Sequence, residues 1–571
     1  MSTRGFRFSA GLTALAAISL LVWAAPVPAQ DAEKDGAAES SDGAFFETVD
    51  VNVVNVEVYV HDKRGNPITG LTKDDFIITE DKRPVTITNF YVMEEGRPAG
   101  PSAELALPEP TVPGRPAMPT IPEDQRLHLV VYIDNFNIRP FNRNRTLAKV
   151  RQFLHDHVDS GDLTMLVSYD RSLKVRHPFT RDSNLISSAT FELEKISAHA
   201  VHHDSERREL LRAINEAETS AEVEWRVRQF AESEYNNLAF SIDALRELVD
   251  SLGGLPGRKA VLYVSDGLAM TPGEDLFHAL SQKFHESSVL SRTNDYRATR
   301  RFQELIAKAN SSRISFYTID AAGLRVASAS LAERESISVP GFDTLVDSMY
   351  ISNMQSTIRM MAEDTGGFAI FNTNDPTKGL NRMASDFDTY YSLGYQTANA
   401  SDGRYHRIRV ALKKKDKSLR VRHRDGYRGK SQFNRMADGT TSMLLYGFNR
   451  NPLNVGLSFG AGSPYEGHFM VPVKVEVPIG KIVLIPRENF HEGRVRIYFS
   501  ALDDKGRMAD VQEIPLDIRI PSGEVEQARQ QVYSYQVDLQ MRRGSQRIAV
   551  GVHDELGAVE SFVSKSIDVT G

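Results

Sequence analysis

The chain has 571 residues, a formal net charge of −7 at pH 7, 41% hydrophobic and 25% charged residues. That length exceeds what one hydrophobic core organises and implies several domains, while the nearly balanced charge argues against a general nucleic-acid binder. The absence of cysteine excludes disulfides, thiolate metal sites, cysteine nucleophiles and a lipoprotein anchor.

Residues 1–29 read as a signal peptide. Arg4 and Arg7 form a positive start, Ala10 to Trp23 an apolar run, and Val27-Pro28-Ala29 a small-residue cleavage site before Gln30. The run is shorter than the roughly 20 residues a spanning helix needs. Export to the periplasm or the exterior is therefore expected, with no transmembrane segment left after cleavage. Residues 30–44 are small, polar and charged and read as a disordered spacer. Residues 45–95 alternate apolar and polar side chains, as in Val49, Val51 and Val53 and again in Val56, Val58 and Val60, and read as part of a β-sandwich. Eight prolines make 96–125 an extended linker.

Residues 126–388 change character. Leu127–Ile133, Leu163–Val167, Ala260–Val264, Ile314–Ile319 and Phe368–Phe371 are short β-branched runs with helical stretches between most of them. A helix is expected from about Asn144, with Leu147, Val150, Leu154 and Val158 on one stripe. This alternation predicts an α/β domain with a central, mostly parallel sheet and helices on both faces. Leu173-Lys174-Val175 follows its predecessor too closely for a helical crossover and is expected as an antiparallel edge strand. Residues 203–250 are charged and helical and exceed a normal crossover, which predicts a helical insertion. Gly253 to Gly257 read as a turn into the next strand.

Residues 389–430 return to β, with His406, Ile408 and Val410 facing one way and Tyr405, Arg407 and Arg409 the other. They are expected to pack with 45–95 beside the α/β core. Residues 440–571 have the strand spacing of a C-terminal β-sandwich. Asp62-x-x-Gly65, Asp503-x-x-Gly506 and Asp554-x-x-Gly557 each follow an alternating strand and suit turns in which Asp bonds the backbone and Gly takes a positive φ.

In an open α/β sheet a ligand sits beyond the carboxyl ends of the strands, where the connection order reverses. Asp134 ends the first apolar strand, and Ser265-Asp266-Gly267 ends the strand Ala260–Val264. Two carboxylates there suit a hard cation such as Mg²⁺; the plainer alternative is that each caps a helix or fixes a turn. These segments, with the amphipathic helix after Asp134 and the strand Ile314–Asp320, resemble a von Willebrand factor type A (VWFA) domain. Residues 45–95 and Tyr390-Tyr391-Ser392-Leu393-Gly394-Tyr395 resemble the bacterial VWFA-related exported family. The resemblance implies a Rossmann-like VWFA fold flanked by β-sandwiches, and a metal-ion-dependent adhesion site whose first motif is Asp-x-Ser-x-Ser. Asp134 matches its first aspartate and Asp266 its last. Phe136 and Ile138 stand where the serines belong, and the loop near Ala198 to His203 shows no clear Gly-Gly-Thr. A degenerate site is expected, with Asp134 and Asp266 its remaining metal ligands and no cofactor beyond a weak Mg²⁺. Asp134, Asn135, Asn137, Ser265 and Asp266 form the expected interaction surface.

Other chemistry is thinly represented. His202-His203-Asp204 lacks the spacing that puts two histidines on one helical face, and neither a nucleophile elbow nor a phosphate loop occurs. Arg420, Arg422 and Arg424, behind Lys413-Lys414-Lys415 at an expected hairpin tip, read as one basic face. It is either solvated or turned to a polyanion. The expected function is non-enzymatic binding of an envelope protein or glycan. Its rivals are cation-dependent adhesion, an envelope hydrolase and a purely structural scaffold.

Overall fold

The computed structural model describes residues 53–99, 126–157, 162–198, 200–325, 342–414 and 416–570. The expected signal peptide and spacer, residues 45–52 and residues 100–125 of the expected linker lie outside the described residues. The chain divides into two compact units, Val53–Ser431 and Gln432–Gly571.

The first unit opens with β1 (Val53–His61), β2 (Phe76–Glu80), β3 (Arg83–Val85), β4 (Ile87–Glu94) and β5 (Arg97–Ala99). It continues with β6 (Leu127–Asp134), α1 (Pro140–His157), β7 (Leu163–Tyr169), β8 (Leu173–Thr180), α2 (Ser183–Glu194), α3 (Ala200–Glu216), α4 (Ser220–Leu252) and β9 (Arg258–Ser265). Then come α5 (Glu274–Phe284), α6 (Thr299–Ser311), β10 (Ile314–Asp320), α7 (Phe342–Glu363), β11 (Ala369–Ile370) and α8 (Thr377–Asp388). Strands β12 (Tyr390–Gln396), β13 (Tyr405–Leu412), β14 (Arg420–Arg422) and β15 (Gly426–Arg428) close the unit.

Every residue of β6 and of β9 is buried, which explains the apolar runs Leu129–Ile133 and Ala260–Val264 at their centres: a strand covered on both faces has no polar side. They pair in parallel at the centre of a six-stranded sheet ordered β11-β10-β9-β6-β7-β8. All neighbours are parallel except β7 and β8, which a short turn through Arg171, at φ 57°, joins as an antiparallel edge. Leu127, Leu129, Val131 and Ile133 meet Leu147, Val150 and Leu154 of α1, Ile186 of α2 and Leu380 of α8 in one core. On the opposite face the Thr318 hydroxyl donates to the Ile358 carbonyl of α7 at 2.9 Å.

Local chemistry corrects several expected boundaries. α1 begins at Pro140, not Asn144, because proline is well placed at a first helical position. The insertion consists of two helices, α3 and α4. Thr219 and Glu222 form a capping box that starts α4, and α3, α4 and α5 share a small core of their own through Leu210, Val227, Phe230 and Phe277. The proline-rich stretch does not begin at residue 96: Arg97–Ala99 pairs with β4 across a turn at Glu95-Gly96.

Two further sheets, β14-β1-β12-β4-β5 and β15-β13-β2-β3, complete the unit. Val56 lies opposite Leu393, and Ile78 opposite Val410, so segments far apart in sequence supply one core around Val58, Phe76, Tyr391 and Ile408. β13 and β14 belong to different sheets, so Lys413 and Lys414 do not lie at the tip of a hairpin, and Lys415 is outside the described residues. The basic face is also corrected. Arg420 is exposed, but Arg422 makes two 2.7 Å bonds to the Asp386 carboxylate and Arg424 is only 7% exposed. Alternation placed these arginines on one face; contact of Arg422 with Asp386 of α8 and of Arg424 with the Asn55 and Asn310 carbonyls buried two of them.

The second unit begins with a helix, α9 (Gln432–Tyr446), so it starts before residue 440 and is not all β. β16 (Gly456–Phe459), β17 (Ser463–Tyr465), β18 (His468–Pro478), β19 (Ile485–Pro486), β20 (Phe490–Asp503) and β21 (Gln512–Pro521) follow. A short α10 (Val525–Ala528), β22 (Val532–Met541), β23 (Gly544–Asp554) and β24 (Val559–Val569) complete it. β18 carries β16, β17 and β22; β20, β23 and β24 form a second antiparallel sheet with β19 and β21. Val471, Val473 and Val475 share one core with Ile497, Val550 and Val552. The Asp62 and Asp503 turns have one geometry: each carboxylate accepts the N–H groups two and four residues on. The third differs, because Ala558 and not Gly557 takes the positive φ.

Two predictions follow from this packing. A Cβ on Gly367 would lie 1.9 Å from the Phe316 carbonyl oxygen, so Gly367→Ala is expected to cost about 3 kcal/mol, read by urea unfolding. His406 is bonded at Nδ1 to Asp81 (2.8 Å) and at Nε2 to Asp402 (3.0 Å). Burial pulls its pKa down, but the bonds to Asp402 and Asp81 outweigh that and hold it above the ordinary 6.5. A raised folded pKa gives stability that is complete below the unfolded value and lost as pH rises through the folded one. The melting temperature of the native chain is therefore expected to fall above about pH 6.5 by more than that of His406→Gln; parallel curves would contradict the pairing.

Candidate functional site

The chain runs from β6 to β7 on one side of β6 and returns to β9 on the other. The strand order thus reverses between β6 and β9, the position at whose carboxyl ends an open α/β sheet generally places a ligand. Asp134 ends β6, Ser265 and Asp266 lie at the end of β9, and Asp320 ends β10.

Each carboxylate is answered by donors of this chain. Asp134 is 1% exposed. Its Oδ1 accepts the Asn137 N–H at 3.1 Å, and its Oδ2 accepts the Asn137 amide at 3.0 Å and the Ser265 hydroxyl at 3.3 Å. The Tyr263 hydroxyl donates to the same Oδ2. Burial raises the Asp134 pKa, with the Tyr263 and Asn137 bonds opposing. Asp266 Oδ2 accepts the Arg139 N–H at 3.0 Å and the Asn142 amide at 2.9 Å. This carboxylate therefore caps the start of α1, where unpaired N–H groups and the helix dipole favour a negative charge. Burial nevertheless lifts its pKa to about 6 against those bonds, and its Oδ1 is buried without a hydrogen-bond partner.

Asp320 and its partners were not singled out in the sequence. Its Oδ1 pairs with Arg325 Nη2 at 2.9 Å, and its Oδ2 accepts the Gln355 amide at 2.9 Å. Arg325 also donates to the Asp266 carbonyl. One guanidinium thus ties the ends of β9 and β10 together. The aspartate was visible as a strand end; nothing in the spacing marked Arg325 or Gln355 as its partners.

The other expected surface residues face inward. Asn135 donates to the Ser197 carbonyl at 2.7 Å and accepts from Arg143, which also bonds the Ile196 and Glu194 carbonyls at 2.8 Å. Asn137 spans Asp134 and, at 3.2 Å, the Ser241 hydroxyl. Ser265 is fully buried and accepts the Gly267 N–H at 3.1 Å. Gly267 sits at φ 109°, and a Cβ there would meet the Met354 carbonyl oxygen at 2.9 Å.

The residues present do not fit an octahedral Mg²⁺ site. Ile138 belongs to the main core, and Phe136 packs edge-on to Tyr169, so neither position offers an oxygen. Asp134 and Asp320 spend their acceptors on fixed donors. Among the described residues no group of three or more His, Asp or Glu is placed to share an ion.

The rim, by contrast, is open. Phe141 is 74% exposed and Leu324 60%. Arg145 links them: its guanidinium lies 5.7 Å from the Phe141 ring, bonds the Ala321 carbonyl at 2.6 Å and reaches Asn374, whose Oδ1 accepts the Leu324 N–H at 3.1 Å. Arg139, beside them in the chain, is half exposed and bonds Asp204 through Nε at 2.6 Å.

No protein-family model matches the chain, and no curated protein matches it in sequence. Solved structures similar to it include an aerotolerance-related membrane protein of Bacteroides fragilis, 14% identical, covering 45% of this chain and 98% of that one at a TM-score of 0.21. Manganese-loaded TRAP protein of Plasmodium vivax is 9% identical over 53% of this chain and 95% of its own, with a TM-score of 0.23. The pilus adhesin SpaC of Lactobacillus rhamnosus GG is 7% identical over 78% of this chain and 52% of its own, also at 0.23. Scores this low set neither fold nor function for this chain.

The ion pair at the sheet end carries a prediction. Arg325→Met strands the buried Asp320 carboxylate and is expected to cost about 3 kcal/mol or more, measured by denaturant unfolding. The double variant Arg325→Met, Asp320→Asn should recover most of that loss, and failure to recover would deny the coupling.

Proposed function

We propose that this protein is an exported, non-enzymatic binding protein of adhesion type. In this reading the α/β layers of the first unit form a VWFA-type domain that presents the rim of its strand-end face to an envelope protein or glycan. The observation that supports it is a division of labour at that face. The polar residues at the strand ends are engaged internally, while Phe141 and Leu324 stand exposed beside Arg139 and Arg145. Exposed apolar groups beside guanidinium groups suit recognition of another macromolecule, where aromatic and arginine side chains carry much of the binding energy. A hydrolase needs an acid or base free to act on substrate; Asp134 and Asp320 are committed to donors of the chain itself, and the one unpaired oxygen of Asp266 is buried.

Binding in this reading needs no cation. Titrating Mg²⁺ or Mn²⁺ into the full chain is expected to give no heat and no thermal shift; saturable heat would overturn the cation-independent part. Phe141→Ser with Leu324→Ser is expected to weaken capture from envelope extract at least about tenfold, the effect of losing roughly 1.4 kcal/mol, at an unchanged melting temperature. Asp134→Ala, by contrast, should act through stability. Undiminished capture by the rim variant would remove the assigned face.

A further inference from the structure

The second unit leaves one long sheet edge open, on a surface that the proposed binding face does not use. The outermost strand of a sheet presents unpaired N–H and C=O groups, and proteins blunt such edges by shortness, proline, charge or a covering segment. Most outermost strands of this chain are blunted in these ways. β3, β5, β8, β17, β19 and β21 each contain proline, and β11, β14, β15 and β16 run for only two to four residues. β24 is long, but the segment ahead of β16 lies along it: the Phe562 N–H donates to the Arg450 carbonyl at 2.8 Å, and the Ser561 hydroxyl accepts the Leu453 N–H at 2.9 Å.

β22 is the exception. Its ten residues contain no proline, glycine, lysine or arginine. All ten pair with β18, whose other side carries β16 and β17. The far edge of β22 is therefore the end of its sheet, and among the described residues no backbone group bonds to it there. Val532, Ser534, Gln536 and Asp538 are exposed. Tyr533 and Tyr535 alternate with them and stay half-buried beside the sandwich core. Valine and tyrosine favour strands, so this edge keeps both the backbone groups and the side chains that a further strand needs.

We propose that the free edge of β22 pairs antiparallel with the same edge of a second copy of this chain, joining two sheets across a two-fold axis. A closed two-fold contact requires a self-complementary surface, and this edge is one. An axis through Val537 sets Asp538 opposite Gln536 of the other copy, Ser534 opposite Gln540 and Tyr535 opposite Leu539. Polar side chains then meet polar ones, apolar meet apolar, and the two acids do not stand directly opposite each other. The flanks match as well. Glu524, Glu526 and Arg529, all exposed, leave a net negative charge ahead of the strand; Arg542, which also reaches Asp503 at 3.5 Å, and the exposed Arg543 put positive charge behind it. Antiparallel pairing brings the front of each strand to the back of its partner, so opposite charges meet at both ends.

The test is sedimentation equilibrium of the full chain over a range of concentrations, with urea unfolding as the control for folding. The unaltered chain is expected to show a monomer–dimer equilibrium. Gln536→Asp places acid opposite acid at both symmetry-related positions and is expected to raise the dimer dissociation constant about tenfold. Gln536→Lys, which faces Asp538 of the other copy, should hold or lower it. Both substitutions change an exposed side chain. Because the chain has no cysteine, Gln536→Cys supplies one thiol per copy; a short bis-maleimide is expected to give covalent dimers there and none with Ser566→Cys on β24. A chain that stays monomeric at every concentration, a dimer that responds alike to Gln536→Asp and Gln536→Lys, or equal cross-linking at the two positions would overturn the proposal.

Discussion

The parallel pairing of β6 with β9, with both strands sealed on both faces, is the constraint from which the first unit is built. It sets Val131 beside Leu262 and Ile133 beside Val264, deep in a core that helices must cover from either side. Because the chain leaves β6 for β7 and comes back to β9, the pairing also sets the reversal of strand order between these two strands. Backbone and side-chain polar groups at their carboxyl ends lie at the edge of a dry interior, where each needs a fixed partner or water. Tyr263, Asn137, Asn142, Gln355 and Arg325 are those partners.

The same architecture sorts charge along the strands. Asp134, Asp266 and Asp320 stand at or beside the carboxyl ends; Arg258, Lys259 and Arg313 stand at or beside the amino ends. In a parallel sheet with helical crossovers, helix amino termini gather at the first end and helix carboxyl termini at the second. Partial positive and negative charges of the helices therefore meet side chains of the opposite sign. At the carboxyl ends Asp134 and Asp320 are answered from within, and Asp266 keeps one buried oxygen without a partner. At the amino ends the bases outnumber the acids, and that surplus separates the two poles of the unit chemically.

Polar seams hold the flanking strands of the first unit to its α/β layers. Arg313 with Glu57, Arg422 with Asp386 and Arg424 with the Asn55 carbonyl all join residues distant in sequence. Guanidinium groups suit this work: each offers five donors in a rigid plane and stacks on aromatic rings, as Arg422 does near Tyr59 and Phe368 and Arg258 over Tyr390. Such seams specify geometry closely, because a shifted partner leaves a buried charge unmatched.

The amino-acid sequence by itself determined the alternation of buried strands and amphipathic helices, the short antiparallel turn back at Leu173, the inward face of β13 and the placing of Asp134 and Asp266 at strand ends. These follow from side-chain period, strand length and turn residues, which act over a few neighbours. It also placed two side chains without a hydroxyl, Phe136 and Ile138, just beyond the end of β6. Only the tertiary structure decided what those aspartates do. Asn142, Tyr263 and Arg139 become their donors through strand pairing and helix docking, which no spacing along the chain encodes. The fate of the basic run was decided in the same way: alternation put Arg420, Arg422 and Arg424 on one side, and contact with Asp386 and the strand ends made two of them buried ion-pair and carbonyl partners. Local pattern specifies which way a side chain points; what it meets there depends on segments brought together only by the closed core.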